Sequence, residues 1–286
     1  MTINLFSMAH GRVRMRIHRK RLVFGFLISL FLLVGFVRPA FAAGVTFVTS
    51  ATNAGANFVA TTAAVSVNAG DTVVAIGGAQ SGSVVFTDSE SDTPTLVNTE
   101  VDGGATIFEQ MSYFTVATTS ATYTVTATFS GGTSGRNSLV VLVYRGVTSV
   151  GSNAINTGSS ISPSVVLTTA RSSDYAVAGF SWGGNSGDCT TGLVGNDRAL
   201  VASGGSTSRV TGSGFDKTGS TSVTNTECLG TSSAWVAIAV DLTGNVASTQ
   251  SLSASVGSSS SLSEKNSVFR SLSGSLTLAS SLTSEH

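Results

Sequence analysis

The loop Asp88-Ser89-Glu90-Ser91-Asp92 holds the densest group of chemistry-bearing side chains in the chain. Alternating carboxylates in a turn can wrap a hard cation in oxygen ligands, so Asp88, Glu90 and Asp92 form a candidate calcium site. Calcium is the one cofactor the sequence offers. The loop lacks the glycine and terminal glutamate of an EF-hand, and the plain alternative is a solvated acidic turn before Pro94. A second candidate is Trp182, which opens the loop Gly183-Gly184-Asn185-Ser186-Gly187-Asp188. An indole at a strand end, beside the polar groups of Asn185 and Asp188, can stack and orient a sugar ring. Alternation along residues 175–182 argues the other way, because it places Trp182 on the same face as Ala176, Ala178 and Phe180.

What is missing narrows the chemistry further. His10 and His18 fall in the first 42 residues and His286 is the last residue, so residues 43–244 contain no histidine. Ser-His-Asp and Cys-His catalysis and histidine-ligated metal sites are excluded there. No phosphate-binding glycine loop opens a helix. Glycoside hydrolysis by two facing carboxyls remains as an alternative, with Glu109 and Asp241 as the strand acids available. Single acids on strands more often serve hydrogen bonds, so no catalytic residue is assigned and the chain is read as a non-enzyme.

The N-terminus carries Arg12, Arg14, Arg16, Arg19, Lys20 and Arg21, then an uncharged apolar run over 22–37, then Arg38-Pro39-Ala40-Phe41-Ala42-Ala43. That order of basic region, apolar stretch and A-x-A site describes a secretory signal peptide over residues 1–42. The run is 16 residues, short of the ~20 that cross a bilayer. Seven of the 15 Lys and Arg lie at or before Arg38, and all 15 carboxylates lie after it, so the exported chain carries 8 − 15 = −7. A negative surface without a basic cluster argues against nucleic acid and against anionic membranes. Export also places Cys189 and Cys228 in an oxidising compartment, where an even pair is expected to form a structural disulfide.

The elements that must position these groups are strands. Residues 121–129 alternate apolar and Thr, giving one buried and one wet face. Residues 139–144 are continuously apolar, as in a central strand covered on both faces. Gly131, Gly132 and Gly135 lie between them and predict a hairpin. A second hairpin is predicted from residues 63–67 and 72–76 around Asn68-Ala69-Gly70-Asp71. Further strands are expected at 83–86, 106–116, 164–167, 175–182, 198–202, 208–215 and 233–242. The reading is all-β: an antiparallel, jelly-roll-like β-sandwich over 43–244, after a signal-peptide helix. Residues 245–286 form a Ser/Leu-rich tail in which 251–256 match 271–276 and 260–262 match 280–282. A disordered linker or an incomplete repeat array is expected there, strand-like where ordered.

The runs Asn68-Ala69-Gly70-Asp71-Thr72-Val73-Val74-Ala75 and Val84-Val85-Phe86-Thr87-Asp88-Ser89 carry a resemblance. With Thr122-Tyr123-Thr124-Val125-Thr126-Ala127 and Val141-Leu142-Val143-Tyr144-Arg145-Gly146-Val147, they resemble bacterial and phage extracellular β-sandwich surface modules with Ser-rich tails. The resemblance implies a jelly-roll-like fold in cell-surface, adhesive or virion-tail proteins and brings no catalytic residues. The expected role is a secreted or cell-surface module that binds glycan or a surface protein. A scaffold without ligand is the other non-enzymatic alternative.

Overall fold

The computed structural model describes residues 44–55, 57–104, 106–169, 171–184, 192–203, 209–219 and 221–245, with the backbone of two short tail strands. Among these residues there is no helix and there are nineteen strands. The first inner sheet is antiparallel, ordered β1 (Thr46–Ala54), β10 (Asn137–Arg145), β4 (Thr72–Ala79), β7 (Phe108–Thr115) and β6 (Thr95–Val101). The second inner sheet is ordered β11 (Val147–Ser160), β17 (Ser233–Gly244), β13 (Tyr175–Gly183), β15 (Val210–Thr218) and β14 (Asn196–Ala202). Outside the first lie β2 (Val59–Thr61), β9 (Val125–Ser130) and β5 (Ser83–Asp88), with the pair β3 (Val65–Val67) and β8 (Ser120–Tyr123). Outside the second lie β12 (Ser164–Leu167) and β16 (Val223–Thr226). In the tail, β18 (Ala254–Ser258) pairs antiparallel with β19 (Gly274–Leu278). In that pairing Val256 meets its repeat counterpart Leu276.

Three apolar cores separate these layers, and the pleat assigns residues to them. Along β10, Leu139, Val141 and Val143 face the first outer core, while Val140, Leu142 and Tyr144 face the seam between the inner sheets. Along β17, Val236, Ile238, Val240 and Leu242 face the same seam, and Ala237 and Ala239 face the second outer core. Period-2 alternation with both faces buried leaves no room for polar residues, which explains the continuous apolar run at 139–144.

The two sheet orders are the same order. Substituting β11, β17, β13, β15 and β14 for β1, β10, β4, β7 and β6 converts one into the other. The register agrees residue by residue. Thr72 pairs Tyr144 and Thr115, and Tyr175 pairs Leu242 and Thr218. An offset of 103, from Thr72 to Tyr175, also relates Thr115 to Thr218. Both edge strands carry a bulge at the same place, between Leu96 and Asn98 in β6 and between Asp197 and Ala199 in β14. Asn53 Nδ2 donates to Thr61 O, and its counterpart Asn156 Nδ2 donates to Ser164 O. Residues 44–146 and 147–244 are thus two halves of one repeated architecture.

Both hairpins predicted from turn glycines are overturned. Strand β9 pairs β2 and β5, whereas β10 pairs β1 and β4, so Gly131–Gly135 carries the chain from the outer layer to the inner one. Likewise β3 pairs β8 while β4 pairs β10 and β7. A positive-φ glycine such as Gly70 or Gly131 permits a reversal but does not say into which sheet the chain returns. The alternating stretch 121–129 is two strands, β8 and β9, broken at Thr124, whose N–H is bonded to Ser89 Oγ. Residues 1–42, with the expected signal peptide, lie outside the described residues.

Candidate functional site

Trp182 is wholly buried, packed with Phe180, Phe215 and Leu167 in the second outer core. The sugar-platform reading of this indole is overturned, and the repeat supplies the reason. Phe180 and Trp182 occupy the positions of Gly77 and Ala79 in the first half. There β5 supplies the volume from above: a Cβ at Gly77 would stand 2.9 Å from Phe86 Cζ. The second half has only β12 and β16 on that side among the described residues, so its own sheet supplies the bulk. Phe180 meets Phe215 edge-on at 5.6 Å, and Trp235 donates from Nε1 to Ser160 Oγ at 3.0 Å. Asn185, Asp188 and Cys189 lie outside the described residues; no free cysteine occurs among those that are described.

The acidic loop is a turn held by its own carboxylates. Asp88 Oδ1 accepts the N–H groups of Glu90 (2.7 Å) and Asp92 (3.3 Å), around Ser91 at a φ of 67°. Glu90 Oε1 accepts from Ser120 Oγ at 2.9 Å, and Asp92 accepts from Ala117 N–H at 3.2 Å and Tyr123 OH at 3.4 Å. Burial, with Asp88 and Asp92 close by, pushes the Tyr123 phenol well above its ordinary range. No cluster of three His, Cys, Asp or Glu suited to a metal ion occurs among the described residues, so Asp88, Glu90 and Asp92 do not converge as a calcium cage.

Glu109 and Asp241 are not brought together. Glu109 lies fully buried in the seam, where its Oε1 accepts the Ile238 N–H at 3.2 Å from the opposite sheet. Burial pushes its carboxyl up to about 8, against the pull of the Ser181 hydroxyl and the Ile238 N–H. Asp241 is also buried, but on the other face of β17 from the seam residues Val240 and Leu242, against Gly151. A sheet stands between the two acids, and no substrate fits between them.

A cleft does open at one end of the seam, with a volume of about 310 Å³. Strand ends from both halves line it: Gln80 after β4, Thr106 and Ile107 before β7, Gly183 at the end of β13, Arg209 before β15 and Ser233 at the start of β17. The turn bearing Thr106 and Ile107 is fixed by Asp102, which accepts N–H groups from Gly104 (3.0 Å), Thr106 (2.6 Å) and Ile107. Burial alone would raise the Asp102 carboxyl, but these donors outweigh it and hold the group below its usual range. Arg136 Nη1 donates to Gln80 Oε1 at 2.6 Å, orienting that amide. On the 103-residue offset, Arg209 is the counterpart of Thr106, and Gly183 of Gln80. The cleft therefore sits where equivalent corners of the two halves meet. Sequence reasoning missed it because its residues come from five separate segments of the chain and form no motif. No known protein family, no curated protein and no solved structure matches this chain.

Proposed function

We propose that this chain is an exported cell-surface or virion-associated module that binds a glycan or surface protein, with the cleft at the end of the seam as its contact point. The observation that carries this reading is the composition of the cleft. It combines the guanidinium side chain of Arg209 with Gln80, Thr106 and Ser233 and includes no carboxylate among the described residues lining it. Hydrolysis of a glycosidic bond needs two carboxyls about 5–10 Å apart facing the bond. A planar cation with amide and hydroxyl neighbours instead suits recognition of sugar hydroxyls and carboxylates. The scaffold reading has support of its own in the three sealed cores.

A glycan array probed with the exported chain and with Arg209→Ala, alongside a reducing-sugar release assay, separates these readings. Binding weakened about tenfold or more by the substitution, without sugar release, is the expected outcome. Each charge-assisted contact contributes roughly 1.5–3 kcal/mol. Turnover that one acid-to-amide change abolishes would refute the binding reading in favour of a hydrolase. Silence in both assays would favour the scaffold.

A further inference from the structure

We infer that the seam is a heterospecific interface: the facing sheets of residues 44–146 and 147–244 are shaped to accept each other and not a copy of themselves. This goes beyond the proposed binding role and stands whether or not the cleft binds anything.

Across the seam, β10 lies over β15 and β7 over β17, β1 over β14 and β6 over β11, with β4 over β13 at the centre. Exchanging each strand for its counterpart returns the same set of contacts. The halves are therefore related like the subunits of an isologous dimer, with a pseudo-twofold axis running along β4 and β13. At such an axis, equivalent residues meet each other. A true homodimer would place identical side chains there, but this chain places unlike ones.

Ile76 meets its counterpart Gly179: a Cβ added at 179 would stand 2.6 Å from Ile76 Cγ2, 2.9 Å from Glu109 Oε1 and 3.1 Å from Ile76 Cδ1. Gly78 meets its counterpart Ser181 in the same way. One strand from the axis, β7 brings Glu109 and Met111 to the seam, and Glu109 bonds Ile238 N–H of β17. The counterparts on β15 are Gly212 and Gly214, and a Cβ at Gly214 would stand 3.0 Å from both Leu142 and Val140 of β10. The two rims differ as well. At one rim Asp216 accepts from Tyr144 OH (3.0 Å) and Arg198 Nε (2.8 Å), and Arg198 lies over the Phe47 ring at 4.3 Å. The matching positions at the other rim are Tyr113, Leu242, Val97 and Val150, all packed on the apolar seam core.

Two first halves would press Ile76 against Ile76. Two second halves would leave Gly179 facing Gly179, with unfilled space over Gly212 and Gly214. Close-packed interiors tolerate neither the overlap nor the void. Only the mixed pair fills the seam.

The test keeps the full chain and makes the axis symmetric, then transposes it. Gly179→Ile puts isoleucine on both sides, Ile76→Gly puts glycine on both, and the double variant exchanges them. Each symmetric variant is expected to lower Tm by roughly 10 °C or more, from several lost or strained methylene contacts in a body of this size. The transposed double variant is expected to regain at least half of the summed loss. A double variant as low as the sum of the two singles overturns the inference. If Gly179→Ile does not fold, Gly179→Ala measured with and without Ile76→Ala asks the same question at smaller scale. The alanine should lower Tm more beside Ile76 than beside Ala at 76, where only the Glu109 carboxyl still crowds it; equal shifts in both backgrounds would also overturn it.

Discussion

Glu109 is a residue whose chemistry the fold changes sharply, because burial favours its neutral form. Its Oε2 has no partner and its Oε1 accepts the Ile238 N–H, too little to offset its complete burial, so the fold favours the protonated form. The folded group titrates near 8 instead of 4.5. An unfolded chain releases this proton as pH passes the ordinary carboxyl range, while the folded chain retains it up to about 8. The unfolded state then binds fewer protons, and stability falls as pH rises through that window, by up to about 1.4 kcal/mol per pH unit. This contribution is complete below the unfolded value and is lost by the folded one. Melting curves at pH 5, 6, 7 and 8 should show Tm declining, and Glu109→Gln should remove most of the slope. An equal slope in the variant would mean that another group is responsible. Nothing about residue 109 announces this in the sequence, where it reads as a single acid between Phe108 and Gln110. The seam that buries it is closed by β13 and β17, which come from the other half of the chain.

Strands with a clear period were legible, and their partners were not. Residues 164–167 match β12, and 175–182 and 233–242 match β13 and β17 to within two residues, because alternating or continuous apolar runs report burial directly. Strand β11 was missed although it spans 14 residues: it is an edge strand, mostly exposed, and its Ser, Asn and Thr carry no apolar period. The repeat was equally hidden, since counterpart positions share a place in the pleat and not a residue type, as Ile76 with Gly179 and Glu109 with Gly212 show. The exchange of bulk between layers also accounts for Trp182. Trp182→Ala should cost stability by about 3–5 kcal/mol, as for other large buried aromatics. Glycan binding per folded molecule should stay unchanged. A mild stability loss with abolished binding would return the indole to a ligand role.

For the molecule as a whole, the seam is the deepest part of the body. Side chains from β4, β7, β10, β13 and β17 share one apolar cluster there, including Val74, Met111, Leu142, Val177 and Ile238. Each half keeps its own outer core when separated from the other, but both lose the seam that they share, so the two should melt together. Calorimetry of the chain should give one transition for this body, whose van't Hoff and calorimetric enthalpies agree. Two resolved transitions, or a calorimetric enthalpy near twice the van't Hoff value, would show that the halves unfold independently.

The last strand of the second half, β17, has a consequence for how the chain can be made. It lies second from the edge of its sheet, pairs with both β11 and β13, and supplies Val236, Ile238, Val240 and Leu242 to the seam. It is also the C-terminal strand of the body. No N-terminal stretch of the polypeptide, however long, can close the structure until residues 233–244 have emerged. Until then β11 has no sheet to join and the seam face of the first sheet stays uncovered along β7 and β6. Pairings this distant along the chain incur the entropy of a long loop before any contact offsets it, so assembly is slow compared with that of a hairpin-built domain. During synthesis the growing chain therefore carries open, aggregation-prone apolar surface until its last body strand is made.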